Sequence, residues 1–243
     1  MALSRSLRRL CSTMRAVELR RPGAPSALVP TVCPRPSGCN LADGYVRVKV
    51  AACAVAFRDT IDRSGGFPMI ELPAILGHEF AGTVDAVGAG TSLTVGDRVA
   101  SFHWAQKFAW PSPFESAEAM GTFFGVGCPG GYAEYVASHS SGLTRIPDGW
   151  RSIDAAPVVS TFGTVWQGIQ TAQIRGHENV LVTGASGGVG SAAVQLLSRL
   201  GHTVVGTTSS DDPSKAAHIM ASGAHAVVST RGGDAHEGGR GGT

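Results

Sequence analysis

No two cysteines in this chain stand at C-x-x-C spacing. The five cysteines lie at 11, 33, 39, 53 and 128, and no apolar signal segment precedes them. A disulfide scaffold and a zinc ribbon are therefore not expected, and a reducing compartment is. Long apolar runs are missing too: stretches such as "AILG" and "NVLV" fall far short of the roughly 18 residues of a membrane helix. There is no basic patch. The formal net charge of +2 includes Arg5, Arg8 and Arg9 near the start, and without those three the remainder carries −1. That excludes the electrostatic footprint of a nucleic-acid binder. What is present, among 243 residues, is 43% hydrophobic side chains, enough to bury the core of one large or two modest domains.

Acids are absent from the first seventeen positions, the first being Glu18. Residues 1–13, "MALSRSLRRLCST", put Leu3, Leu7 and Leu10 on one helical face with three arginines and several hydroxyls elsewhere. That composition predicts a mitochondrial (matrix) targeting segment; a cytoplasmic location is the alternative if it is an ordinary tail. From Met14 to Trp150, short apolar runs such as "MRAVEL", "YVRVKVAACAV", "AGTVDAVG" and "GGYAEYVAS" are cut by Gly, Pro and Asp, which predicts a compact, mostly β domain over 14–150. Residues 107–125 show no strand period and are expected to form a long loop. Over 151–230 a small, apolar helical stretch gives way to strand, helix, strand, helix, strand. That alternation predicts βαβ units and a parallel sheet. The Gly-rich end, 231–243, is expected to remain disordered.

"VLVTGASGGVGSAAVQLL" sets Gly184, Gly187, Gly188, Val189 and Gly190 between an apolar strand and an apolar helix. Glycines there let the backbone turn tightly and approach a pyrophosphate, while free N–H groups at the helix start attract the anion. The alternative is a tight turn that binds nothing. At the end of the second strand an NAD enzyme would carry Asp or Glu on the ribose hydroxyl. Here stands "GTTSS", with Thr207, Thr208, Ser209 and Ser210, followed by Lys215. These suit a 2′-phosphate, so NADP(H) is preferred over NAD(H), with Asp211 and Asp212 nearby acting against it.

Together with "VRVKVAACAVAFRDTIDRSGGFP", "LPAILGHEFAGTVDAVGAGTSLTVGDRV" and "IPDGWRSIDAAPVVSTFGTVWQGI", these stretches resemble the medium-chain dehydrogenase/reductase superfamily, which includes zinc alcohol dehydrogenases and quinone oxidoreductases. The resemblance implies a two-domain α/β protein: a GroES-like β catalytic domain followed by a Rossmann domain, with hydride transfer from a nicotinamide in the cleft between them. In zinc members the metal is held by a Cys at the position of Ala56, the His of G-H-E and a Cys near Ser160. Only His78 remains here, and of the structural zinc lobe, expected over 103–128, only Cys128, so no zinc is expected. His78 and Glu79 are then read as a hydrogen-bonded pair on the cleft floor. Arg58 and Asp59 are candidate polar groups of the cleft, or else an intra-turn ion pair. Phe57 and Trp104 are candidates for an apolar substrate wall, and Thr164 matches a position that faces the cofactor.

The activity implied is NADPH-dependent, zinc-independent reduction of a quinone or α,β-unsaturated carbonyl. Zinc-free relatives carry Asn where Ala56 stands, a departure that keeps two alternatives open: an alcohol dehydrogenase relative that lost its metal, and an inactive truncated product or binding module. The resemblance also implies a small-molecule substrate and a homodimer. A Rossmann domain uses six strands, of which this chain supplies three. The Rossmann domain is expected to be incomplete, with "NVLVT" as an exposed edge.

Overall fold

The computed structural model describes residues 12–39, 41–66, 70–102, 124–125 and 128–231, and the backbone of 235–237. Most of the expected targeting segment, the 107–125 loop apart from Phe124 and Gly125, and Trp104 lie outside the described residues. The chain divides into two units, 1–159 and 160–243.

In the first unit, β1 (Thr13–Leu19) pairs antiparallel with β2 (Leu28–Pro34). An antiparallel sheet of five strands runs in the order β6-β3-β4-β5-β7. Its members are β3 (Tyr45–Cys53), β4 (Phe80–Val87), β5 (Arg98–Ser101), β6 (Tyr135–His139) and β7 (Leu143–Arg145). In β3, Val46, Arg47 and Val48 are all buried. Val46 and Val48 are buried with Phe80, Val84, Val99 and Val136, and the Phe124 ring meets Phe80 edge-on at 4.9 Å. Arg47, between the valines, sends its guanidinium as a fork onto Asp85, both bonds at 2.8 Å, and donates to the Pro36 carbonyl. Charge-assisted bonds of that geometry are what let an arginine sit buried.

A second apolar cluster joins Ala81 and Ala100 to Ile146, Ala155 and Ala156. It docks the short helix α2 (Ser152–Ala155) on this unit. The boundary expected after Trp150 therefore falls between Val159 and Ser160. The helical run beginning at Ser152 had been read as one block, but its first turn presents small alanines that pack on the β sheet.

The second unit opens with α3 (Val158–Thr171) and builds a sheet in the order β11-β10-β9-β8. β8 (Asn179–Val182), β9 (Thr203–Thr208) and β10 (Ala226–Ser229) are parallel, and α4 (Gly188–Arg199) and α5 (Pro213–Ala221) join them. Val182, Val194, Leu197, Val204, Ile219 and Val227 form the core. β8 ends the sheet with Leu181 62% exposed, as the apolar edge read from "NVLVT" requires. The Gly-rich segment expected to be disordered contributes β11 (Ala235–Glu237), antiparallel to β10. An edge strand presents unpaired N–H and C=O groups that a short extended segment of any composition can satisfy. Among the described residues no helix is long and apolar enough to cross a membrane.

Gly82 sits where β3 and β4 change register between Val50 and Ala52, and a Cβ there would overlap the Lys49 carbonyl oxygen. Gly82→Ala is expected to lower unfolding stability by about 2–3 kcal/mol, because backbone, unlike a side chain, cannot swing aside. Chemical denaturation of the variant beside the parent chain measures this.

Candidate functional site

The polar centre of the first unit begins where β3 ends. Helix α1 (Phe57–Ser64) follows, and its N-cap, Ala56, has no side chain with which to cap it. Asp59 does half of that work from inside the first turn: Oδ2 accepts the Ala56 N–H at 2.9 Å. Its other oxygen accepts the Gly77 N–H at 3.2 Å and lies 3.3 Å from His78 Nδ1. The Tyr132 hydroxyl is a further hydrogen-bond partner of Asp59. With 4% exposure, this carboxylate ties together α1, the G-H-E turn and the start of the Tyr132 segment.

The G-H-E turn is clamped on both sides. Gly131 N–H donates to the Gly77 carbonyl at 2.6 Å, and Tyr132 N–H to that of Leu76 at 2.9 Å. Ser101 Oγ donates to the His78 carbonyl at 3.0 Å and accepts the Phe80 N–H at 2.8 Å. Gly77 has φ +95°, and a Cβ on it would stand 2.6 Å from the Tyr132 ring and 2.8 Å from the Cys53 sulfur. Only glycine fits that position.

Of the predicted polar residues, Asp59, His78 and Glu79 are buried here. His78 Nδ1 lies against Asp59, nineteen residues back, and Glu79 accepts the Ala54 N–H through its carbonyl. Arg58 is half-buried in the first turn of α1. Its Nε donates to Asp62, one helical turn on, at 2.6 Å. In a helix adjacent side chains diverge while i and i+4 meet, so Asp59 is turned inward and Arg58 along the surface. Burial pushes the Asp62 carboxyl up, and Arg58 opposes it. Phe57 is 80% exposed.

Burial also pushes the Cys53 thiol and the Tyr132 phenol up, with Asp59 adding to both, and carries the Cys128 thiol to about 12. A catalytic zinc takes three protein ligands. Among the described residues no three His, Cys, Asp or Glu side chains are gathered to hold a metal ion, and the family's thiolate positions carry the methyl of Ala56 and the hydroxyl of Ser160. These residues do not fit a zinc site of the alcohol dehydrogenase kind.

The second unit holds the glycine turn. Gly184 has φ +62°, and its carbonyl accepts the Gly187 N–H at 3.0 Å. Gly187 is the N-cap of α4, and Gly188, Val189 and Gly190 form its first turn. A Cβ on Gly190 would overlap the Gly184 carbonyl oxygen and stand 2.8 Å from Ala185 Cα, so helix and turn touch backbone to backbone. Val189 is exposed and nothing surrounds Gly188. The N–H groups of this first turn have no partner within the helix.

Thr207 braces the turn: its carbonyl accepts the Ala185 N–H at 2.8 Å and its hydroxyl the Gly184 N–H at 3.3 Å. Thr208 is buried, with its hydroxyl accepting the Ser210 N–H. That corrects its assignment as a ligand-facing residue, because strand side chains alternate and Thr208 points into the core. Ser209 and Lys215 are exposed, and Ser210 is half-buried, accepting the Asp212 N–H. Asp212 caps α5 by accepting the Ser214 N–H at 2.9 Å, while Asp211 is exposed. Thr164, exposed on α3, donates to the Ser160 carbonyl at 2.8 Å.

Sequence reasoning passed over Tyr132, Ser101, Asp62 and Gly206. The first two reach their partners only through strand pairing. Asp62 was visible as Arg58 plus four. A Cβ on Gly206 would stand 2.6 Å from Ile219 and 2.9 Å from Ala185, a constraint hidden in a run read only for its hydroxyls.

Residues 42–148 match the alcohol dehydrogenase GroES-like domain. The chain is 34% identical over 177 residues to the acryloyl-coenzyme A reductase of Metallosphaera sedula, covering 70% of this chain and 53% of that one. It is similar to the crystal structure of AibC, with TM-score 0.80 and 36% identity over 92% of this chain and 63% of that one. A mycobacterial protein solved in complex with NADPH aligns with TM-score 0.68 and 30% identity, over 89% of this chain and 58% of that one. The chain thus spans about half the length of the curated relative.

Asp59→Asn keeps the shape but loses an acceptor for the donors that converge on it, and a loss of about 2–4 kcal/mol in urea unfolding is expected. In the native chain at pH 8, iodoacetamide is expected to alkylate exposed Cys39 well before Cys53 and Cys128, since only the thiolate reacts. Peptide mass spectrometry over a time course reads the order.

Proposed function

For a chain that belongs to the medium-chain dehydrogenase/reductase superfamily, we propose NADPH-dependent, zinc-independent reduction of a quinone or an α,β-unsaturated carbonyl. The observation that carries this reading is the backbone contact between Gly190 and Gly184. It supports a turn shaped for a pyrophosphate, with the free N–H groups and the positive dipole end of α4 beside it. NADPH supplies the hydride when bound. In this reading the 2′-phosphate is taken by Ser209, Ser210 and Lys215, with no carboxylate at the end of β9 to select the unphosphorylated ribose. Asp212 is committed to capping α5.

Without a Lewis acid to polarise an ordinary carbonyl, the substrate must be electron-poor already, as quinones and conjugated enones are. An acryloyl thioester, in the relative's name, is such a compound. His78, held at Asp59, with Arg58 and Glu79 close by in sequence, supplies the polar groups for orienting it. The assembly proposed is a homodimer.

NADPH and NADH titrations followed by nicotinamide fluorescence test the cofactor. NADPH is expected to bind the tighter, and Lys215→Ala to weaken NADPH about tenfold, or ~1.4 kcal/mol, while leaving NADH unchanged. Gly190→Ala should abolish binding of both. NADH binding as tightly as NADPH sinks the cofactor assignment. Metal analysis after dialysis is expected to find no zinc, and one zinc per chain would overturn that half of the reading.

A further inference from the structure

Each parallel strand of the second unit is approached through a histidine: His177 before β8, His202 before β9 and His225 before β10. All three lie at the amino ends of the strands, whereas the glycine turn and Thr207 to Ser210 follow their carboxyl ends. Two of them receive backbone N–H groups. His202 Nδ1 accepts from Glu178 at 3.3 Å, and His225 Nδ1 accepts from Val204 at 3.1 Å. These bonds stitch neighbouring strands. Glu178 leads into β8, and its carbonyl accepts the Thr203 N–H of β9 at 2.9 Å; His225 leads into β10, and its own N–H donates to the Val204 carbonyl at 2.7 Å. His177 is of the opposite kind, with Nδ1 2.9 Å from the Gly201 carbonyl. A carbonyl can only accept, so that nitrogen carries hydrogen in every protonation state.

We infer that His202 and His225 form an acid-sensitive latch along the amino edge of the nucleotide-unit sheet. An imidazolium is a donor at both nitrogens and accepts nothing. Protonating either ring therefore replaces an N–H···N bond by two donors facing each other, and for His202, 4% exposed, solvent offers no substitute. Imidazole in water protonates near pH 6.5. On the approach to β8 stand Arg175, His177 and Glu178, the last with its carboxylate accepting the Arg175 N–H at 2.7 Å. Arg199 closes α4, and α5 carries His218. Asp211, Asp212, Lys215 and Arg231 lie at or beyond the carboxyl ends of β9 and β10, and β11, described in its backbone, brings Glu237 opposite Ala226 and His236 opposite Val227. Opening the amino edge loosens the same strands that present the glycine turn, so the second unit weakens as pH falls. His177 keeps its bond throughout.

Nitrogen-15 imidazole spectra of the native chain at pH 7.5 test the latch directly. His202 and His225 are expected with hydrogen on Nε2 alone, and His177 with hydrogen on Nδ1. Hydrogen on Nδ1 of His202 or His225 overturns the inference. In the same buffers the melting temperature is expected to fall by about 5–10 °C between pH 7.5 and 5.5. The double variant His202→Asn with His225→Asn keeps an oxygen acceptor near each Nδ1 but cannot titrate, and should lose at least half of that fall; His218→Asn should keep all of it. An undiminished fall in the double variant sinks the proposal. If that variant does not fold, the spectra of the native chain still decide.

Discussion

The first unit depends on one buried carboxylate. Asp59 accepts the N–H groups of Ala56 and Gly77, lies against His78 Nδ1 and is bonded by the Tyr132 hydroxyl. Those groups come from three stretches of chain, and none could be buried alone without a cost of a few kcal/mol. Satisfying them at one centre fixes the start of α1 against the G-H-E turn. It also explains why the turn must be glycine at 77, since the space a side chain would fill is taken by Tyr132 and Cys53. A site of this kind is rigid because its polar groups saturate one another.

The second unit solves a different problem with an opposite device. Its glycine turn has no buried charge; it works by bringing backbone against backbone, Gly190 on Gly184, and leaves N–H groups open at the head of α4. Thr207 braces the turn from the next strand, so the first two parallel strands and the turn form one mechanical piece. The amino ends of those strands rest on imidazoles rather than on hydrophobic contacts alone. The sheet is thus held from both ends by polar bonds, and only those at the amino end can titrate.

Most of the architecture was legible because its signals are local. Alternation in "YVRVKV" gave a half-buried strand, and strand, glycine turn, helix in "VLVTGASGGVGSAAV" gave a βαβ unit. The errors arose where a local pattern met a non-local partner. Thr208 looks like its neighbours in a hydroxyl run, but strand alternation buries it. Ser152 to Ala156 looks like the opening of a helical domain, but its alanines pack on Ala81 and Ala100 of the β sheet.

The sequence by itself determined the two-unit plan, the glycine turn, the lack of an acid at the end of β9 and the missing thiolates of the zinc pattern. Each is a matter of residue type at a given spacing, and needs no knowledge of distant contacts. Tertiary structure alone decided that Asp59 lies 3.3 Å from His78 Nδ1, that Tyr132 and Ser101 belong to the same centre, and that His202 and His225 accept backbone hydrogens across strands. Those outcomes depend on which segments strand pairing brings within 3.5 Å of one another, and no periodicity along the chain encodes such a distance.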